Sequence, residues 1–170
     1  SLGLEHRLDK YLDVIARGAS KRVDVGRFTA GGDDGQSIEA YFANILSVGL
    51  GGLVDRYIAS TTKAFGGTAA YFAASLRGLV ESEIGRVAAK IHHGGETREE
   101  EIATRSLAIC NGRFFGSGME VAPMASLTDG VLEIIDLGAS NRLRFFTLSS
   151  QIYSGKHLDR PDVRHFPCEK

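Results

Sequence analysis

The chain has 170 residues, 43% of them hydrophobic, with 20 basic and 21 acidic side chains and a formal net charge of −1. That length carries one globular domain with a real core, and the balanced charge argues against a duplex nucleic-acid binder, so no nucleic-acid partner is expected. No apolar run approaches the roughly 20 residues of a spanning helix, and the N-terminus lacks the basic-then-apolar pattern of a signal peptide, which together imply a soluble, cytoplasmic protein.

In chain order, Leu8, Tyr11, Leu12 and Ile15 fall on one face of a helix, and Gly18 suits the position just past its end. Lys21 to Thr29 alternates around Val23 and Val25, and Gln36 to Val48 reads as a second, antiparallel strand, with a hairpin loop between them. That loop holds Gly31-Gly32-Asp33-Asp34-Gly35, which superficially resembles a nucleotide-phosphate motif. A phosphate loop needs a helix N-terminus after it to supply oriented N–H groups; here a strand follows, so the segment is a hairpin loop. Leu50 to Lys63 predicts a short helix and Ala69 to Glu81 a longer one with Phe72, Leu76, Leu79 and Val80 on one side, separated by Gly66-Gly67.

Further on, Arg86 to Ile91 and Glu101 to Cys110 predict strands flanking the polar loop HHGGETREE, and Val131 to Asp136 another strand. Ser140 is the expected cap of a helix running to about Tyr153, with Gly155 past its end, and Val163 to Cys168 returns to strand. Strands dominate, so the fold class is β-rich α+β: an antiparallel β-sandwich with inserted helices. No repeat, low-complexity stretch or linker divides the chain, and residues 1–170 read as a single domain.

The segment from Asn111 to Glu133, NGRFFGSGMEVAPMASLTDGVLE, is the richest in signals. Asn111-Gly112 after an apolar run reads as a tight hairpin turn, and Gly116-Ser117-Gly118 leaves backbone free to approach another backbone or a ligand. Leu127-Thr128-Asp129-Gly130 offers one carboxylate beside inward-bent carbonyls, which is how oxygen ligands hold a hard cation. A plain Asp-Gly turn is the competing reading. Glu133 alternates with Val131 and Ile135 and is expected to face solvent rather than a cleft. His92-His93 and Glu99-Glu100-Glu101 read as solvated loop and strand start, since adjacent strand residues point to opposite faces and do not converge on a metal. Cys110 and Cys168 share no metal-ligand spacing and are expected to be inert thiols.

These motifs, together with YFANILSVGLGGLVD (Tyr41 to Asp55), FGGTAAYFAASLRGL (Phe65 to Leu79) and IYSGKHLDRPDVRHF (Ile152 to Phe166), resemble the second domain of the diacylglycerol kinase-like lipid kinases, a family that includes bacterial lipid kinases and sphingosine kinases. The resemblance implies a two-domain parent. An N-terminal α/β domain would carry a Gly-Gly-Asp-Gly-Thr motif and bind ATP in the cleft against a β-rich domain like this one. That motif would precede residue 1, and the Asp-Gly-Glu segment whose Asp looks like the family's base would follow Lys170. Phosphoryl transfer needs positioned phosphates, a cation and a base, so the 170 residues are expected to be inactive alone. The resemblance further implies a structural Mg²⁺ on the Asp129 side chain and the Ser126 and Val131 carbonyls, with Mg-ATP in the parent. Thr128 stands where the family often has a second acid.

By the same resemblance, a lipid such as diacylglycerol would be the phosphate acceptor, its chains lying near Phe65, Tyr71, Phe72, Leu76 and Leu79, although ordinary core packing explains those residues equally. Arg142, Arg144, Lys156, His157 and Arg160 are candidates for a basic rim that meets anionic head groups at the inner face of the membrane, with a solvated helix end as the plain reading. An exposed former interdomain surface would favour a homo-oligomer. A non-catalytic lipid-binding or interaction module with the same fold stays open as the rival. An NAD kinase second domain would share the architecture but not the Tyr41 to Asp55 and Asn111 to Pro123 segments.

Overall fold

The computed structural model describes residues 7–18, 20–31, 34–60, 67–116 and 118–169. Helix α1 (Leu8–Arg17) forms on the predicted apolar spacing and stops at Gly18, whose φ of 62° lets its N–H reach the Ile15 carbonyl at 3.1 Å. None of the α1 residues is buried. Strands β1 (Gly26–Gly31) and β2 (Ser37–Phe42) form the expected antiparallel hairpin, closing at Gly31 opposite Ser37. The glycine-rich segment is thus a hairpin connection, with Gly32 and Asp33 outside the described residues.

The single strand expected over Gln36 to Val48 is two strands. The chain bends at Ala43 and Asn44 because the Asn44 carbonyl accepts from the N–H groups of Asn111 and Gly112, at 2.8 and 3.0 Å. Strand β3 (Ile45–Gly49) thereby leaves β2 and joins a different sheet. Helix α2 (Leu50–Ser60) starts at once, and a side chain on the preceding Gly49 would clash with the Arg105 carbonyl that receives the Leu50 N–H. Helix α3 (Gly67–Glu81) follows.

Two more expectations are corrected. The polar run after Ile91 is strand, not loop: β4 (Gly85–His93) and β5 (Glu96–Thr104) pair along their length, with only Gly94 and Gly95 turning. Both glycines have positive φ, 59° and 81°, which matches the strand twist in a two-residue hairpin. The strand expected over Glu101 to Cys110 breaks at Arg105, so β5 stays with β4 while β6 (Ser106–Cys110) crosses into the sheet of β3. One chain segment therefore serves both layers, as at a sandwich corner.

Strands β7 (Phe114–Phe115) and β8 (Met119–Glu120) form a short hairpin, and β9 (Leu132–Asp136) enters the main sheet beside β6. The turn signal at Asn111-Gly112 is displaced to Gly116 and Gly118, whose φ values are 55° and 90°. Asn111 is instead a buried tie, its Nδ2 donating to the carbonyls of Asp24 and Ala43, both at 2.8 Å. Helix α4 (Arg142–Ile152) is capped by Asn141, not Ser140: the Asn141 Oδ1 accepts from the Arg144 N–H at 2.9 Å. A short 3-10 turn, Lys156–Asp159, leads to β10 (Arg164–Cys168).

The main sheet runs in the order β10-β9-β6-β3, antiparallel throughout. Alternation sends Leu107, Ile134, Phe166 and Cys168 to one face, where they pack on Ile91 and Ile102 of the β4–β5 hairpin. Ala108, Cys110 and Ile135 point to the other face and pack on Val121, Phe145, Leu148 and Ile152. The fold is thus the β-rich α+β sandwich with inserted helices. Among the described residues no helix is long and apolar enough to cross a membrane.

Candidate functional site

On the helical face the packing is incomplete. A cavity of about 510 Å³ lies over Ser47, Ser106 and Leu137, walled by Leu50 and Val54 of α2, Leu76 and Leu79 of α3, Phe145 and Ile152 of α4, and Phe115, Gly116 and Met119 of the β7–β8 hairpin. Ser47 and Ser106 face this way because they share the parity of Ala108 in the sheet register. Small hydroxyls at those positions do not fill the space that a Leu or Ile would. The cavity is within the usual size range of ligand pockets, roughly 300–1,000 Å³, and like them is apolar with a few polar groups, here including Asp55 and Ser75.

Of the five side chains that the sequence offered for lipid chains, Leu76 and Leu79 line the cavity. Phe65 and the side chains of Tyr71 and Phe72 lie outside the described residues. Gly116, singled out for close approach, is part of the wall. Val54, Phe145 and Ile152 were missed because their helical spacing reads as ordinary core. A polar clasp sets the separation of α2 and α3. The Tyr57 hydroxyl donates to Glu81, Arg77 Nε donates to the other Glu81 oxygen at 2.8 Å, and the Arg77 guanidinium lies 4.3 Å from the Tyr57 ring centre. The Tyr57 hydrogen bond, followed by that of Arg77, holds the Glu81 carboxyl below its ordinary range.

The loop ahead of β9 has a shape of its own. Asp129 is exposed and turns back on its own strand, its Oδ1 accepting the Val131 N–H at 3.1 Å, while Gly130 takes a φ of 75°. Asp24, from the segment before β1, crosses the same loop: its N–H donates to the Leu127 carbonyl at 2.7 Å and its Oδ2 accepts the Gly130 N–H at 2.8 Å. Two carboxylates thus share one turn, the second arriving from a position 106 residues away from Gly130, which no local sequence signal announces. Among the described residues no group of three or more His, Cys, Asp or Glu side chains gathers as a metal cluster.

The remaining candidates disperse. Glu133 is buried rather than solvated, and its carboxylate meets His165 Nε2 diagonally across β9 and β10. His92 bonds Thr97 and His93 lies 3.5 Å from Glu169, so the pair does not converge. In the basic set, His157 is fully buried with Nε2 donating to the Val121 carbonyl at 2.9 Å, and Arg160 pairs with Asp162 at 2.9 Å. Arg142, Arg144 and Lys156 remain exposed. Both cysteines are buried and neither is in a disulfide, and burial, with a further push from Glu133, raises the Cys110 thiol to about 12.

Residues 44–170 match the family described as the YegS C-terminal NAD kinase beta sandwich-like domain. Diacylglycerol kinases of Mycobacterium tuberculosis strains CDC 1551 / Oshkosh and ATCC 25618 / H37Rv are each 28% identical over 153 residues, covering 89% of this chain and 46% of theirs. Two solved structures of a Bacillus anthracis str. Sterne protein described as a diacylglycerol kinase superpose with TM-scores of 0.56 and 0.58 at 21% identity, over 98% of this chain and 50% of theirs. At that identity the likeness is one of fold. The chain spans about half the length of these relatives. With three quarters of its length matched, the chain belongs to the YegS C-terminal NAD kinase beta sandwich-like domain family, as a diacylglycerol kinase-like C-terminal domain.

Proposed function

We propose that residues 1–170 are the acceptor-side domain of an ATP-dependent lipid kinase, and that the apolar cavity receives the acyl chains of a lipid such as diacylglycerol. The observation that carries this reading is the cavity itself: about 510 Å³ of mostly apolar lining on one sheet face, while on the other Ile91 and Ile102 of the hairpin pack against Leu107, Ile134 and Phe166. Each methylene moved from water into such a lining contributes about 0.8 kcal/mol, so a medium-length chain gains several kcal/mol without any charged contact. Ser47, Asp55, Ser75 and Ser106 give a head group hydrogen-bonding positions beside that lining. ATP would be held by a separate N-terminal domain, and this chain alone would not transfer phosphate.

The loop chemistry fits a structural Mg²⁺. Asp129 has one oxygen committed to the Val131 N–H and no cationic side chain paired with it among the described residues, and Asp24 adds a second uncompensated carboxylate. Asp129, with the Ser126 and Val131 carbonyls, would hold the ion, and water would complete the octahedral shell Mg²⁺ prefers. Bound there, the ion would neutralise the two carboxylates and brace the entry to β9.

The lipid reading is tested by filling the cavity. Leu76 is 46% exposed, so Leu76→Trp enlarges a wall residue without overpacking the core. Binding of a fluorescent short-chain diacylglycerol is expected to weaken by about tenfold or more, a loss of ~1.4 kcal/mol. Equal binding by both proteins, or none by the wild type, would remove the cavity from the argument. The intact parent, incubated with ATP and a lipid panel, is expected to yield a phosphorylated lipid; lipid binding without phosphorylation would favour a non-catalytic module. For the ion, calorimetric Mg²⁺ titration is expected to lose its signal in Asp129→Ala.

A further inference from the structure

Beside the α3 end of the cavity two arginines, Arg105 and Arg142, come together. Arg105, only 5% exposed, donates through Nη1 to the carbonyl and hydroxyl of Ser82, at 2.6 and 2.9 Å, and through Nη2 to the Ser140 carbonyl at 3.4 Å. Every one of those acceptors is neutral. Its Nε is buried with no partner, and so is the Ser140 hydroxyl next to it. Arg142 comes to the same place, its Nε donating to the Leu79 carbonyl at 3.3 Å. Among the described residues neither arginine is paired with a carboxylate, and the Arg142 charge repels that of Arg105.

The backbone adds to this field. Arg142 is the first residue of α4, whose first turn holds no acid, so the positive end of an 11-residue helix dipole points at the same region. A buried guanidinium beside a second one and a helix N-terminus is costly unless an anion is bound. A phosphate group fits what is offered: a forked donor, a hydroxyl and a helix N-terminus. Of the residues lining the cavity, Leu79 accepts from Arg142 through its carbonyl and Ser106 follows Arg105 in sequence, so the two regions adjoin.

We propose that Arg105, Ser140 and Arg142 form a phosphate-binding seat next to the apolar cavity, shaped for a phosphate monoester. The orphaned atoms are closed to solvent in this conformation, so loading needs a local shift, and Arg142, exposed and held by one bond at 3.3 Å, can move and then close on the phosphate. The phosphate either arrives free or is carried by a lipid whose chain lies in the cavity. Only the second source rests on the lipid reading given above.

Calorimetry on the full 170-residue chain, with inorganic phosphate, lauroyl lysophosphatidic acid and uncharged monolauroyl glycerol, each below its micellar concentration, tests the seat. The phosphorylated amphiphile is expected to bind at least about tenfold tighter than the uncharged one, the worth of one or two charge-assisted hydrogen bonds. Arg142→Gln and Arg105→Gln are each expected to erase most of that preference and leave the uncharged affinity as it was. If Arg105→Gln does not fold by circular dichroism, Arg142→Gln, at an exposed position, carries the test. Inorganic phosphate that competes away the preference identifies free phosphate as a sufficient ligand, whereas a preference that persists in its presence identifies the lipid-borne group. An absent preference with no phosphate binding, or a preference unchanged in Arg142→Gln, overturns the seat. Phosphate binding that depends on Arg142, with no binding of the uncharged amphiphile, keeps the seat and removes the lipid from the cavity.

Discussion

The two faces of the β10-β9-β6-β3 sheet draw on the same alternation of side chains and end differently. On one, the β4–β5 hairpin lays Ile91 and Ile102 against Leu107, Ile134 and Phe166, and Ile102 is 1% exposed. On the other, α4 and the chain from Met119 to Ala125 cover Ala108, Cys110 and Ile135, but Ser47 and Ser106 stand beneath a cavity of about 510 Å³. A hairpin layer meets a sheet in regular register, whereas three separate helices leave gaps that small residues preserve. Close packing and open space thus fall on opposite sides of one sheet, and a filled interior gains dispersion contacts that an open one gives up.

That division has a direct test. Ile102→Ala on the filled face is expected to cost about 2–5 kcal/mol in urea denaturation, since the hairpin leaves no slack for collapse. Leu76→Ala on the open wall should cost less than about 1 kcal/mol, because its side chain already borders free space and solvent. Comparable losses at the two sites would mean that the faces are packed alike. Next in size is Asn111→Ala, which strands the Asp24 and Ala43 carbonyls and should cost about 1–3 kcal/mol. Its effect separates from simple core truncation if hydrogen exchange quickens in the 127–131 loop that Asp24 braces, while the β4–β5 hairpin stays protected.

The outline of this arrangement was legible in the sequence wherever a local rule decided it. Gly18 ended α1 as its left-handed preference requires, and the spacing of Leu76 and Leu79 put both on the cavity side of α3. Non-local partners decided the rest. Gln36 to Val48 looks continuous because nothing in its own residues reports that Asn111 and Gly112 seize the Asn44 carbonyl and bend it. Asn111-Gly112 has the composition of a turn, yet tertiary ties use Asn111 as a donor and leave the turn to Gly116 and Gly118. HHGGETREE was hydrophilic enough to pass for a loop, but two glycines suffice to turn and the charges pair across strands, as Lys90 does with Glu99 at 2.9 Å. The recognised motif marked Asp129; Asp24 beside it was invisible, because the loop assembles only when the chain folds.

The cap of α4 probes the helical face with a smaller effect. Asn141→Ala is expected to lose about 1 kcal/mol, the usual worth of an N-cap side chain. Ser140→Ala should be close to neutral in the absence of phosphate, as its hydroxyl has no partner to lose. A reversed order would return the cap to Ser140.

The smallest effect expected concerns proton uptake behind the same face. His157 anchors the Val121 carbonyl, and Val121 is fully buried in the core that carries the cavity. Burial lowers the imidazole below its ordinary 6.5, against weaker opposing pulls from the Val121 hydrogen bond, Asp159 and Glu120. The unfolded chain therefore takes up a proton near 6.5 that the native chain refuses until the solution is more acidic. Stability from the neutral ring is whole above that value and drains away as pH falls from 6.5 toward the native value. Urea midpoints at about pH 7.5 and about pH 5.5 should consequently differ more in the wild type than in His157→Gln, which keeps a donor for Val121 but cannot titrate. Equal differences in the two proteins would place the acid sensitivity elsewhere, and the helical face would then owe its cohesion to packing alone, like the hairpin face opposite.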